Sequence, residues 1–328
     1  MGWKWNRLQG IGAAIGLLIL IFDSPLALKG ASSGIELCIK TVIPSLFPFF
    51  VLSMVLTNTL SGTIPNFIGF FTQKLGIPKA AEPLLIPSVL GGYPVGAKCI
   101  SDLYQSKQIN RQQAERLLAF SSNAGPAFLF GMVSGFFPEQ KMIWLLWFIH
   151  LASAVLTAAA IPAGKTDSSD LNSEYVYERV SIIASAAKSM CMVCCWVILF
   201  RIIVTFINAW LLWFFPQWVQ TLLIGILELT NGCSELPKII DIKLRFIICS
   251  CMLAFGGFCV LLQTASVIHG LSIGHYIKGK AMQTAFSFLL SSAVVCDNRL
   301  IFAVLIPSML FIFRKIQNRD SNPCVLPV

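Results

Sequence analysis

Charged side chains are scarce in this sequence. Asp, Glu, Lys and Arg make up 12% of its 328 residues, whereas roughly 25% is usual for a soluble domain. Hydrophobic residues make up 56%. A surface this poor in charge must face something other than water, which excludes an ordinary soluble protein. The alternation of apolar and polar residues that marks an outer-membrane barrel is absent as well.

The sequence contains seven long apolar runs. Several approach the ~20 residues that a helix needs to cross a bilayer. In hydrocarbon the backbone amides must be satisfied within the segment, which favours helices. The runs cover residues 10–22, 41–56, 117–137, 142–163, 190–215, 244–268 and 300–313. The sequence therefore predicts an all-α, polytopic helical membrane protein of about eight spans, placed in the cell membrane.

The net charge of +9 is compatible with nucleic-acid binding, but the arrangement of the charge is not. Lys and Arg lie at the ends of apolar runs, as the positive-inside tendency places them. A basic stripe with interleaved aromatic residues is absent. We therefore expect membrane lipid and no nucleic acid among the partners. Both termini are basic, which predicts that both lie in the cytoplasm and that the number of spans is even.

Motifs for catalysis and metal binding are also missing. The sequence has no Walker loop, no G-x-S-x-G, no H-E-x-x-H and no dinucleotide-binding glycine motif. Cys191 and Cys194 form a C-x-x-C pair, but they lack the second pair or the histidine of a zinc site. His150, His269 and His275 are far apart and are expected to be core or interfacial residues. We expect no enzyme activity, no catalytic residues, no metal site and no cofactor.

A polar stretch at residues 164–179 divides the chain near its middle. Leu118-Ala119-Phe120 before it recurs as Leu253-Ala254-Phe255 after it, in order with two weaker matches. This recurrence predicts two related halves, which we expect to be inverted. The predicted organisation is a first transmembrane helix over residues 1–30, a first half over 31–163, a polar linker over 164–179, a second half over 180–315 and a basic, Pro-containing C-terminal tail over 316–328.

Glycine and proline interrupt the apolar runs at similar places in the two halves. Each half should contain a helix broken by glycine, over residues 84–98 and 221–236, and Gly125-Pro126 should break a second helix. Such a break is tolerated in a membrane where it faces a cavity or other protein. The N-terminus of a half-helix attracts anions. The alternative is that these residues serve close helix packing alone.

Polar residues inside apolar segments are candidates for function. For Glu228 three roles stay open: it could carry a coupling proton, coordinate a cation, or neutralise Lys188 or Arg201. Lys98 is expected to be a cation of the site. The predicted substrate-binding residues are Gly91, Gly92, Tyr93, Lys98, Ser122, Asn123, Gly125, Glu228 and Asn231.

A family resemblance rests on four segments. They are "VIPSLFPFFVLS" (42–53), "GGYPVGAK" (91–98), "SSNAGPAFLFG" (121–131) and "LELTNG" (227–232). In this order and spacing the segments resemble the sporulation integral membrane protein YlbJ family, which belongs with the nucleoside-recognition Gate domain proteins.

The resemblance implies a multi-pass protein of the outer forespore membrane that acts late in sporulation. It implies transport of dipicolinic acid, a flat pyridine with two carboxylates, toward the forespore. The leading expectation is therefore a secondary transporter or facilitator of a small anionic solute. The alternatives are a Gate-family transporter of nucleosides or another small solute, and a non-transporting membrane partner in a sporulation complex. Assembly as a homo-oligomer or with other sporulation membrane proteins stays open.

Overall fold

The computed structural model describes residues 2–60, 69, 72–162, 182–296 and 307. Every regular element in this part of the chain is helical, which confirms the predicted all-α class. The predicted linker, residues 164–179, and the predicted tail, residues 316–328, lie outside the described residues.

Thirteen α-helices are described. In chain order they are α1 (Gly2–Phe22), α2 (Ser24–Leu37), α3 (Ile43–Leu60), α4 (Leu85–Leu90), α5 (Val95–Gln105), α6 (Arg111–Ser121), α7 (Gln140–Ala160), α8 (Ile182–Trp210), α9 (Gln217–Leu227), α10 (Leu229–Glu235), α11 (Ile242–Phe255), α12 (Gly257–Val267) and α13 (Gly274–Val295). Short π-helical or 3-10 segments occur at Cys38–Val42, Lys79–Leu84, Ala127–Met132, Val133–Phe136, Leu212–Phe214 and Leu236–Lys238.

The first helix ends at Phe22, earlier than the predicted boundary at residue 30. Asp23 caps the next helix, because its carboxylate accepts the backbone N–H of Leu26 at 3.2 Å. The chain bends by 100° between the two helices. A single straight first span is therefore replaced by a bent pair.

Two glycines let α2 pack closely against α8. A Cβ on Gly30 would lie 2.9 Å from the Ile202 Cα, and one on Gly34 would lie 3.0 Å from the Ile198 Cα. Glycines four residues apart are a common means of bringing two membrane helices together. Helix α2 leads into the opening segment predicted for the first half, residues 31–60, and α8 lies in the opening segment predicted for the second half, residues 180–213, so the two opening segments meet here.

Four helix breaks follow these opening segments in the described chain. We name them break 1 (residues 91–94), break 2 (residues 122–125), break 3 (Glu228) and break 4 (Gly256). Gly92 and Gly256 have φ angles of 70° and 81°, which favour glycine because it has no Cβ. Break 1 also contains Pro94, which has no N–H to donate.

Two of these breaks differ from the prediction. In the segment 221–236 the helix breaks at Glu228, whose backbone is extended, and Gly232 lies inside α10. Gly232 instead permits a close contact, because a Cβ there would lie 2.2 Å from the Gly225 Cα. Break 4 interrupts a run, 244–268, that the sequence analysis treats as one helix.

Three described helical segments are long and apolar enough to cross a membrane. They are Gln140–Ala160, Ile182–Trp210 and Ile242–Val267, and the bent pair Gly10–Phe22 and Ser24–Val42 makes a fourth if it counts as one span. The chain is therefore a helical membrane protein with three or four such segments in its described part. The figure of about eight spans and the inverted relation of the halves stay predictions.

Helix α13 packs against α6, α7 and α11, and its contact with α6 is tight. A Cβ on Gly279 would lie 2.1 Å from the Ala119 carbonyl oxygen. Because α6 leads directly into break 2, this contact holds one face of α13 beside the breaks.

Candidate functional site

Breaks 1 and 2 touch each other through their glycines. A Cβ on Gly125 would lie 2.9 Å from the carbonyl oxygen of Leu90 and 3.0 Å from the backbone nitrogen of Gly92. A Cβ on Gly92 would in turn lie 3.3 Å from the Gly125 nitrogen. Any larger residue at Gly125 has to push the two breaks apart.

Break 4 contacts both break 1 and the end of α9. The Tyr93 hydroxyl of break 1 donates to the Leu253 carbonyl at 2.9 Å, and a Cβ on Gly256 would lie 3.2 Å from the Tyr93 ring. A Cβ on Gly257 would lie 3.0 Å from the Gly225 carbonyl oxygen, a few residues before break 3. The four breaks therefore meet at one place, which we call the crossing.

A small cavity lies at this crossing, with a volume of about 50 Å³. Its walls come from the breaks and from the faces of α3, α8 and α12. The lining residues are Leu46, Phe50, Gly91, Gly92, Tyr93, Ala124, Gly125, Ala127, Phe128, Val193, Val197, Glu228, Leu229, Thr230, Val260 and Gln263. One water needs roughly 10–15 Å³ by this measure, so the cavity has room for a few waters and not for a ring with two carboxylates.

Lys280 brings a buried cation to the crossing. Its residue is 1% exposed, and its ammonium donates to the Ser122 carbonyl of break 2, to the Gln283 side-chain oxygen at 2.8 Å and to the Tyr93 hydroxyl at 3.3 Å. Within the described residues it has no carboxylate within 4 Å, since none of the ion pairs of that part of the chain involves it.

Two side-chain amides continue this network into break 2. Gln283 donates from Nε2 to the Asn123 Oδ1 at 2.9 Å, and Asn123 donates from Nδ2 to the Phe120 carbonyl at 2.8 Å. On the other side, the Ala124 N–H donates to the His150 Nε2 at 3.1 Å. Break 2 is thus fastened to α13 and to α7 by side chains, in place of the helical hydrogen bonds that it lacks.

Glu228 forms the N-cap of α10. One of its carboxylate oxygens accepts the Thr230 N–H at 2.9 Å, and the other accepts the Asn231 N–H at 2.6 Å. These donors are two of the unpaired amides at a helix N-terminus. The start of α10 is therefore occupied by a carboxylate of this chain, and it does not present free amides to a substrate.

The predicted partners of Glu228 lie elsewhere. Lys188 is exposed. Arg201 donates to the Asn231 Oδ1 and to the Ser33 Oγ, both at 3.2 Å, and it forms no ion pair with Glu228 within 4 Å in the described chain. Arg201 is nevertheless a close neighbour, because it binds the residue whose amide Glu228 caps.

Most of the predicted substrate-binding residues come together. Gly91, Gly92, Tyr93, Gly125 and Glu228 line the cavity. Ser122, Asn123 and Asn231 are buried beside it and take part in the hydrogen bonds just described.

Lys98 is the exception. Its side chain is exposed on α5, and it is not among the residues that line the cavity. The cation at the crossing is Lys280, which the sequence analysis does not identify.

A signal for Lys280 is present in the sequence. Polar residues recur every three or four positions along α13, all of them buried on one face. They are Tyr276, Lys280, Gln283, Ser287 and Ser291. A buried polar stripe on an otherwise apolar helix is a feature of functional membrane segments.

Comparison with known proteins identifies one relative with the expected description. The chain is 26% identical over 315 aligned residues to the sporulation integral membrane protein YlbJ of Bacillus subtilis (strain 168), and the alignment covers 81% of this chain and 76% of that protein. This similarity confirms the resemblance to the YlbJ family that was drawn from the four segments. No family model matches the chain, and no solved structure matches it.

Proposed function

We propose that this chain, as a relative of the sporulation membrane protein YlbJ, is a secondary transporter or facilitator of a small anionic solute. The observation that carries the proposal is the crossing of four helix breaks around a mainly apolar cavity, whose walls also include the polar side chains of Tyr93, Glu228 and Gln263. Non-helical backbone at membrane depth is tolerated where it lines a cavity. Transporters commonly build their substrate sites from such discontinuous helices.

The order of the elements supports two related halves. In each half a long opening segment is followed by one broken helix, a connector and a second broken helix. The pairs are α4 with α5 and α9 with α10, then α6 with its π-helical continuation and α11 with α12. We propose that these pairs correspond, that the halves are inverted and that about eight spans complete the protein.

We propose dipicolinic acid as the substrate and the outer forespore membrane as the location. Both rest on the family resemblance and on the name of the relative, which describes a sporulation integral membrane protein. The chemistry of the crossing agrees with such a ligand. Tyr93 offers an aromatic ring, Gln263 and Gln283 offer amides, and Lys280 offers a positive charge.

The direct test is uptake into liposomes that contain the purified protein and no other. We expect labelled dipicolinate to accumulate inside these liposomes and not inside protein-free ones. Guanosine and uridine are tested in the same preparation. Uptake of a nucleoside without dipicolinate would instead support a nucleoside transporter, and a preparation that takes up none of the three would support a non-transporting membrane partner.

A further inference from the structure

We propose that Lys280 is the residue that makes the site select an anionic substrate, by pairing with a carboxylate of that substrate. This inference rests on the proposed transport function and names the substrate class that the crossing favours. It starts from the charge balance of the buried groups.

Among the described residues, the crossing holds one buried basic side chain, Lys280, without a carboxylate that balances it. Glu228 is satisfied by two amides and lies beside Arg201, which binds Asn231. These two opposite charges offset each other. Lys280 has hydrogen-bond acceptors but, in the described chain, no carboxylate within 4 Å. A buried charge without a counter-charge is costly, so a carboxylate that binds there removes a cost that the protein otherwise carries.

Tyr93 separates the Lys280 ammonium from the cavity. Tyr93 lines the cavity, while its hydroxyl is 3.3 Å and its ring centroid is 5.0 Å from the ammonium nitrogen. Tyr93 belongs to break 1, between Gly92 and Pro94, and it is not fixed by a surrounding helix. If break 1 moves and takes the Tyr93 side chain aside, the Lys280 ammonium becomes accessible from the cavity.

The present partners of Lys280 can be exchanged for a substrate. The Ser122 carbonyl and the Tyr93 hydroxyl are neutral acceptors, whereas a carboxylate adds the attraction between two opposite charges, which is strong away from water. Gln283 lies one turn away on the same helix and can keep its bond to the ammonium. The ring of Tyr93 can then stack on a flat substrate.

A purely structural role for Lys280 makes a different prediction. If Lys280 only fastened break 2 to α13, its loss would lower the amount of folded protein and leave the preference among ligands unchanged. The test therefore measures preference, with two ligands of nearly the same shape. They are pyridine-2,6-dicarboxylate, which is charged, and pyridine-2,6-dicarboxamide, which is neutral.

The experiment measures binding and uptake of both ligands with the wild type, Lys280→Gln and Lys278→Gln. Lys278 is the matched control, because it lies on the same helix with an exposed side chain. We expect the wild type and Lys278→Gln to prefer the dicarboxylate at least about tenfold, equivalent to one missing ionic hydrogen bond. In Lys280→Gln this preference should disappear, and Lys280→Arg should retain part of it.

Equal uptake of both ligands by the wild type would overturn the inference without any variant, even if Lys280→Gln fails to fold. An unchanged preference in well-inserted Lys280→Gln would overturn it as well. Absence of uptake of either ligand by the wild type is a different result, because it refutes the proposed transport of dipicolinate itself.

Discussion

At the scale of single residues, Glu228 shows how a carboxylate can be stable in a membrane protein without a salt bridge. It accepts two backbone amides at the start of α10 and caps that helix. Glu228→Gln keeps one acceptor oxygen and loses the charge, so we expect the protein to lose about 1 kcal/mol of stability, the usual value of an N-cap. Thermal unfolding in detergent measures the loss.

Glu139→Gln is the control for that experiment. Glu139 precedes α7 with a half-exposed side chain that pairs with Lys141 at the surface, and such pairs contribute little. A loss of stability that is equal in both variants would contradict the capping role of Glu228. A stable Glu228→Gln with reduced uptake would point to a direct role in transport.

Arg116 illustrates a buried cation with a structural task, in contrast to Lys280. Its guanidinium donates to the carbonyls of Leu75, Gly76, Ala158 and Ile161 at 2.6–3.2 Å. It thereby joins the end of α7 to the segment that precedes α4. Four of its five N–H donors are used, which leaves little for a ligand.

We expect Arg116→Gln to lower the unfolding temperature by an amount equivalent to at least about 2 kcal/mol, since several hydrogen bonds to a charged group are lost. The matched control is Arg111→Gln on the same helix. Arg111 is largely exposed and pairs with Glu115 at 2.8 Å, so its loss should cost less than about 1 kcal/mol. Similar unfolding temperatures for the two variants would show that the bonds of Arg116 add no stability.

At the scale of helices, the glycines of breaks 1 and 2 set how closely the breaks approach. We expect Gly92→Leu and Gly125→Leu to abolish dipicolinate uptake while the protein stays inserted. At Gly125 even a Cβ would lie within 2.9 Å of the Leu90 carbonyl oxygen, and at Gly92 the φ angle of 70° is strained for leucine. Uptake and the amount of membrane-inserted protein are measured together.

Gly135→Leu provides the control, because a Cβ at Gly135 meets nothing within 4 Å. This variant should transport as the wild type does. Wild-type uptake in Gly125→Leu at normal membrane levels would mean that the crossing of breaks 1 and 2 is not part of the transport site.

The same helices show how far the sequence could predict the site. Breaks 1 and 2 were accessible because Gly-Gly and Gly-Pro pairs weaken a helix wherever they occur. Break 3 lies within the predicted range 221–236, but at Glu228 and not at a glycine, since Gly232 serves close contact with Gly225. Break 4 was missed because Gly256 and Gly257 sit inside a long apolar run. Local composition does not tell which glycine is needed for a turn and which for packing.

Which lysine lies at the crossing, Lys98 or Lys280, also depends on how the helices pack. Lys98 stands next to the most informative motif in the sequence, but its position on α5 turns its side chain outward. Lys280 is more than 180 residues away from Tyr93 along the chain and yet contacts it. A contact of this kind follows from how α13 packs against α6, which a single sequence does not reveal.

At the scale of the whole molecule, the size of the cavity decides what motion the proposed transport requires. Its volume of about 50 Å³ has no room for dipicolinate, so on our proposal the breaks separate before this ligand enters. Val197 on α8 lines this cavity, whereas Val204 on the same helix lies in another part of the core. Both are 1% exposed, and cysteine differs little from valine in size.

The pair Val197→Cys and Val204→Cys therefore reports on the opening of the cavity. A water-soluble thiol reagent should reach residue 197 when the breaks separate. Saturating dipicolinate should slow this reaction at least about fivefold, because the ligand then fills the space in most of the binding-competent protein. Residue 204 should react slowly with or without the ligand. Free cysteines lie close to position 197, among them the exposed Cys191 and Cys195, so fragment-ion mass spectrometry is used to assign each modification to a single residue. If dipicolinate changed the rates at both positions equally, its effect would be on global unfolding, and the cavity between the breaks would not be where the substrate binds.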